Sequence, residues 1–264
     1  MNHKLKIEGH RGAMTNYFEN SLEAFIEADR LGIDGIEFDL WLLKDKVSLV
    51  VHGKTSNSME VLWNTKTQKL EIVFLTKITS IELEDFTYPD KKTKLPTFEL
   101  LLQTLKNSKL YLNAEVKDYR NELVEESLKC IKKIKPNCRI CFSSFNHKVK
   151  SMIDMSAKKL EMHNFEVGFL AASMSELPVL SEQEGSLIEK GDTINVDISL
   201  VLANDEALKD YAKLAIQKGF QLKVYNLMFL SDFEAPKLYY QIIDFGISTF
   251  ICNRVEKLLE FNRQ

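Results

Sequence analysis

The sequence predicts an α/β fold, a (β/α)8 TIM barrel with a small insertion between the second and third barrel strands. Three observations predict it. Eight short, mostly apolar, strand-like segments alternate with helical patterns along the chain. The 264 residues match the ~250 typical of one such barrel. No short repeat, low-complexity tract or linker divides the chain, so 1–264 is expected to be a single domain. Periodicity does not show closure, and a doubly wound open sheet is the alternative arrangement of the same units.

Strands are expected at Leu5–Gly9, Gly35–Trp41, Leu110–Val116, Arg139–Ser143, Val167–Ala171, Thr193–Ile198, Gln221–Tyr225 and Thr249–Cys252. Most are short apolar runs, the pattern of strands buried on both faces. Between them, Phe98, Leu101, Leu102 and Leu105 trace one helical stripe, with Pro96 at its start. Val124, Leu128 and Ile131 trace a second, closed by Pro136, and Leu208, Tyr211, Ala212 and Ala215 a third, ended by Gly219. The stretch 47–94 breaks this rhythm. It reads as an insertion holding a short strand, Ser48–Val51, and a polar loop.

Bulk properties narrow the function. A chain that is 45% hydrophobic and 28% charged is ordinary for a globular protein. A net charge of −3 argues against a nucleic-acid partner, which needs a basic face to replace phosphate counterions. No apolar run is long enough for a transmembrane segment, and no secretory leader pattern precedes the first strand. A cytoplasmic protein is expected, with peripheral membrane contact left open. Cys130, Cys138, Cys141 and Cys252 are spaced too irregularly for a disulfide framework. The lone Cys138–Cys141 pair is expected to be reduced thiols rather than a redox or metal motif.

Chemistry concentrates at strand ends. Glu37 and Asp39 lie two apart on the second strand and so share a face. Glu115 and Lys117 repeat the arrangement at the end of the third. Adjacent strands would gather three carboxylates and one ammonium at the barrel mouth. Such oxygens suit a hard divalent cation, Mg²⁺ or Ca²⁺, and a buried salt-bridge network is the plainer alternative. His10 and Arg11 end the first strand and His52 ends the run from Val47. Two imidazoles flanking a phosphodiester can serve as base and acid, while Arg11 and Lys117 offer positive charge to its oxygens.

These residues carry a family resemblance. Gly9-His10-Arg11-Gly12, then Phe18-Glu19-Asn20-Ser21, resembles the opening signature of glycerophosphodiester phosphodiesterases. Gly35-Ile36-Glu37-Phe38-Asp39, Val50-Val51-His52, Leu95-Pro96-Thr97 and Asn113-Ala114-Glu115-Val116-Lys117 follow in family order. The resemblance is dense from Ile7 to about Lys117 and sparse beyond it. It implies a metal-dependent hydrolysis of glycerophosphodiesters to sn-glycerol 3-phosphate and an alcohol, with a glycerophosphocholine-like substrate. It implies His10 and His52 as the acid/base pair, Glu37, Asp39 and Glu115 as metal ligands, and Arg11 and Lys117 as phosphate contacts. Glu19 matches an acid beside the site. Asn20 is expected to cap the helix that follows.

The chain departs from the family pattern at four places. Gly53 stands where an Asp usually follows the second histidine, and Lys46 where a turn Gly is usual. Tyr225 and Asn253 replace a common Trp and Asp on the last two strands. The apolar run Leu227-Met228-Phe229-Leu230 raises lysophospholipase D activity on a lysophospholipid as an alternative. A catalytically weak barrel that binds phosphodiesters or partners is the other.

Overall fold

The computed structural model describes residues 5–54, 58–180, 188–189, 191–203, 206–226 and 235–263, with side chains from 238 on in the last stretch. The barrel strands are β1 (Lys6–His10), β2 (Gly35–Leu42), β7 (Tyr111–Val116), β8 (Arg139–Ser144), β9 (Glu166–Ala171), β10 (Thr193–Asp197), β11 (Gln221–Tyr225) and β12 (Thr249–Cys252). They pair in parallel in that order, and β1 pairs with both β12 and β2. The sheet is therefore a closed eight-stranded barrel, which excludes the open doubly wound alternative.

Helices α1 (Leu22–Leu31), α3 (Phe98–Thr104), α4 (Asn121–Ile134), α5 (Val149–Lys159), α6 (Ile198–Leu202), α7 (Glu206–Gln217), α8 (Ala235–Asp244) and α9 (Val255–Phe261) follow the barrel strands. Both α6 and α7 come after β10, and among the described residues only a 3-10 turn at Met174–Glu176 follows β9. Their apolar stripes meet the outward side chains of the strands in one continuous core that includes Phe25, Phe38, Phe98, Phe142 and Phe250. Thr97, directly after Pro96, caps α3, and its hydroxyl accepts the Leu100 N–H. Ser21 caps α1 by accepting the Ala24 N–H. The expectation that Asn20 fills that role is corrected: Asn20 is fully buried and turned the other way, onto the strand-end acids.

The insertion is more structured than its polar composition suggested. After β3 (Ser48–Val50), which runs antiparallel to β2, comes a separate antiparallel sheet. It consists of β4 (Met59–Asn64), β5 (Lys69–Phe74) and β6 (Phe86–Thr87), with a one-turn helix, α2 (Ser80–Leu83), before the last strand. Leu62, Val73 and Leu75 from this sheet and its edge pack on Trp41, Leu49 and Val51 in a second core. Trp41, on the barrel strand β2, thus fastens the insertion to the barrel.

The barrel interior is not the apolar stack usual in this architecture. Lys223 Nζ lies 2.7 Å from Glu8 Oε1, with both side chains buried, and 3.9 Å above the Tyr111 ring. Asn113 Nδ2 donates to Glu8 Oε2 at 3.2 Å, and the Tyr111 hydroxyl donates to Glu166. Buried charges need such partners, because desolvation of either one alone is costly.

Candidate active site

The first turn after β1 fixes two of the expected residues. Gly12 adopts φ +93°, and a Cβ there would lie 2.8 Å from the Ala24 Cβ. A Cβ on Gly9 would lie 2.8 Å from the Gly12 carbonyl oxygen. Only glycines let the chain double back this tightly against α1. The turn leaves His10 and Arg11 at the C-terminal end of the barrel, with Arg11 itself at φ 57°.

Neighbouring strand ends then bring the acids together. Asp39 on β2 is in direct register with Glu115 on β7. Ligand oxygens of Glu37, Asp39 and Glu115 lie within 4.8 Å of one another, all buried. Lys117 Nζ sits 2.9 Å from Glu115 Oε1 and 3.2 Å from Asp39 Oδ1. Arg11 reaches Glu19 Oε2 at 2.6 Å, and its Nε lies 3.4 Å from Asp39 Oδ2, in ion-pair reach but not aligned as a hydrogen bond. The Arg11 backbone N–H donates to Glu37 Oε2 at 3.2 Å.

Burial, together with Asp39 and Glu115, pushes the Glu37 carboxyl well above the usual carboxylate range. Burial also raises Glu115, against the pull of Lys117. Burial alone would raise Asp39 too, but Lys117 and Arg11 outweigh it and hold it low. The hard oxygen donors and close spacing of Glu37, Asp39 and Glu115 fit a divalent cation such as Mg²⁺ or Ca²⁺, whose charge would favour the ionised form of the raised Glu37 and Glu115.

The histidines flank this cluster. His10 Nδ1 lies 2.6 Å from Asn253 Oδ1, and since an amide oxygen only accepts, Nδ1 carries the proton. Its Nε2 is then a free lone pair 3.8 Å from Glu37 Oε2. Burial, with Arg11 adding, lowers the His10 pKa to about 4. His52 is more open, with Nδ1 3.9 Å from Glu19 Oε1. Burial lowers its pKa also, with Asp39 opposing and Arg11 and Lys117 adding. The Trp41 indole N–H donates to the His52 carbonyl at 2.9 Å and so holds that loop.

A cavity of about 300 Å³ opens on the cluster. Its lining includes His10, Arg11, Glu37, Glu115 and Lys117 together with Phe145, Asp197 and Tyr225, but neither Asp39 nor His52. The rings of Phe145 and Tyr225 meet edge-on at 6.1 Å. His147 is not among the lining residues; it bonds the Leu170 carbonyl and packs on Phe169.

The match of this chain to known proteins decides its family. Residues 10–256 fit the family model described as "Glycerophosphoryl diester phosphodiesterase family". The chain belongs to that family. It is 31% identical over 146 residues to a glycerophosphodiester phosphodiesterase of Bacillus altitudinis, covering 54% of this chain and 58% of that one. It is 29% identical over 186 residues to one from Caldanaerobacter subterraneus subsp. tengcongensis, covering 63% and 67%. The aligned segments thus span somewhat over half of these curated relatives. Among solved structures, an Oleispira antarctica phosphodiesterase in complex with the product sn-glycerol-3-phosphate superposes with a TM-score of 0.72 at 17% identity, covering 98% of this chain and 97% of that one. A Thermotoga maritima glycerophosphodiester phosphodiesterase gives 0.69 at 23%, covering 98% and 99%. At these identities the superpositions bear on the fold.

As a member of the glycerophosphoryl diester phosphodiesterase family, the chain carries its departures in a coherent way. Gly53 has φ +56°, and a Cβ there would lie 2.7 Å from the Trp41 indole nitrogen, so a larger residue would dislodge the His52 loop. Lys46 occupies the left-handed turn at φ 66° without being glycine. Asn253 is the partner of His10. Two roles escaped the sequence. Asn20 Nδ2 donates to Asp39 Oδ2 at 2.8 Å while its Oδ1 accepts the Asp39 N–H, and no local signal distinguishes that from a cap. The polar partner of His10 lies at the far end of the chain. Leu227–Leu230, which raised the lysophospholipid alternative, lies outside the described residues, as does His3. Cys138 and Cys141 are free thiols, pushed up by burial to about 11 and about 12. No helix among the described residues is long and apolar enough to cross a membrane.

Proposed function

We propose that the chain is a cation-dependent phosphodiesterase that hydrolyses glycerophosphodiesters to sn-glycerol 3-phosphate and an alcohol. The observation that carries this reading is the convergence of three buried carboxylates, two cations and two histidines at one barrel mouth. Glu37, Asp39 and Glu115 would hold Mg²⁺ or Ca²⁺, which when bound would draw charge from the phosphate oxygens as it builds. Arg11 and Lys117 bring fixed positive charge to the same oxygens. Glu19 orients the Arg11 guanidinium.

His10, neutral down to about pH 4 with Nδ1–H engaged by Asn253, offers Nε2 as the base toward the attacking oxygen. His52, more exposed and close to the Glu19 carboxylate, is placed to carry the proton returned to the leaving alcohol. A phosphodiester anion beside His52 would oppose the burial that lowers its pKa and favour the protonated ring that the acid role needs. The four free thiols fit a reducing, cytoplasmic compartment. The Oleispira antarctica relative, in complex with sn-glycerol-3-phosphate, supports that product for this site.

The test is release of glycerol 3-phosphate from glycerophosphocholine with Mg²⁺, with Ca²⁺ and with EDTA. Release that EDTA abolishes, and that falls ~10²-fold or more on His10→Ala or His52→Ala, supports the reading. Near-normal turnover in both variants overturns the two-histidine mechanism. Cation binding without release from glycerophosphocholine moves the substrate to a lysophospholipid, which a panel of lysolipids checks. Silence there as well would leave a binding barrel.

A further inference from the structure

The strand pair β4–β5 departs from the rule that the solvated face of an antiparallel sheet is polar. Six residues alternate onto its outer face in three directly opposed pairs: Met59 with Phe74, Val61 with Ile72, and Trp63 with Leu70. All six are apolar. The inner face carries Leu62 and Val73 into the second core, with Glu60, Asn64, Lys69 and Glu71 between them. On the outer face Ile72 is 63% exposed, Leu70 55%, Val61 43% and Phe74 37%. A contiguous apolar stripe of this kind marks an interaction surface.

Charge indicates what covers it. Lys77 Nζ lies 4.5 Å over the Phe74 ring and Lys91 Nζ 4.1 Å over the Trp63 ring. Phe74 and Trp63 belong to the first and last of the three pairs, so a cation stands at each end of the stripe. None of the six positions holds a carboxylate. A second copy docked through the same face would bring lysines toward lysines with no acid on the stripe to meet them. An anionic lipid surface satisfies both features: apolar side chains enter the acyl boundary while the ammonium groups stay among the headgroups.

We propose that the outer face of β4–β5 docks the protein on an anionic lipid bilayer. The placement ties docking to the catalytic end of the barrel. The Lys54 N–H donates to the Met59 carbonyl, and Glu60 at the start of β4 accepts the Gly53 N–H next to His52. The docking strand pair and the loop that presents His52 are therefore one hydrogen-bonded unit.

Co-sedimentation of the full chain with vesicles tests this, using phosphatidylcholine alone and phosphatidylcholine mixed with phosphatidylglycerol. Two variants accompany the wild type, Leu70→Ser/Ile72→Ser and Lys77→Gln/Lys91→Gln. None of the four residues belongs to the acid cluster or its cavity, and unchanged melting curves verify the fold. The wild type is expected to sediment with the anionic vesicles and to bind the neutral ones less. Each variant is expected to bind the anionic vesicles about tenfold more weakly or worse. Wild-type protein that stays in the supernatant, or variants that bind as the wild type does, would overturn the proposal. So would a wild-type dimer in sedimentation velocity that the serine variant dissociates, since a second copy would then own the face.

Discussion

Replacing Asn253 by aspartate should raise the His10 pKa to roughly 6–7. Asn253 Oδ1 and His10 Nδ1 are 2.6 Å apart, so a carboxylate there puts its charge about 4 Å from the ring's centre of charge. At an effective dielectric constant of ~20 that attraction is about 4 kcal/mol, close to a thousandfold in the protonation equilibrium. It opposes the burial and the Arg11 charge that hold His10 at about 4. The assay is a proton NMR titration of the imidazole resonances in EDTA-treated protein, with His10→Gln identifying the peak. Stability gives a second readout. Unfolded His10 protonates below about 6.5 while the folded residue stays neutral to about 4, so acidification favours the unfolded chain. Between pH 7 and 4.5 the wild type should lose about 2.5 kcal/mol more than His10→Gln in urea unfolding. A wild-type His10 that titrates near 6.5, or an Asn253→Asp variant whose His10 stays near 4, would refute the reasoning.

Three other perturbations follow from the same structure. Asn20→Ala leaves Asp39 without the amide that orients it and should weaken divalent-cation binding at the proposed Glu37–Asp39–Glu115 site about 10- to 100-fold by titration calorimetry; unchanged affinity would reduce Asn20 to a loop residue. Lys223→Met strands Glu8 inside the barrel and should cost about 3–5 kcal/mol in urea unfolding, part of which Glu8→Gln in the same chain restores. Lys46→Gly relieves a left-handed residue in an exposed turn and should stabilise by about 1 kcal/mol; a lower melting temperature would show that the lysine is held there by contacts worth more than the strain.

The stretch 47–94 shows where local reading stops. Alternation in β4 and β5 is visible once the pairing is known, but both faces carry apolar residues, so periodicity alone could not say which face is inside. The polar lumen is another case. Glu8 and Lys223 sit in strands β1 and β11, far apart in the chain, and their partnership exists only because the barrel closes.

The eight barrel strands were legible in the sequence alone, because most are short runs rich in apolar residues, as strands buried on both faces tend to be. The sequence also determined that Glu37 and Asp39 share a face, as do Glu115 and Lys117, because a strand's side chains alternate with a period of two. Tertiary structure alone decided that β2 lies beside β7 and puts Asp39 level with Glu115. It alone turned Asn20 from cap to partner of Asp39 and gave His10 to Asn253. Backbone periodicity is a local property of a few consecutive residues. A hydrogen bond that fixes a tautomer, or a charge that fixes a pKa, acts across a few ångströms of space between residues that the chain keeps far apart until it folds.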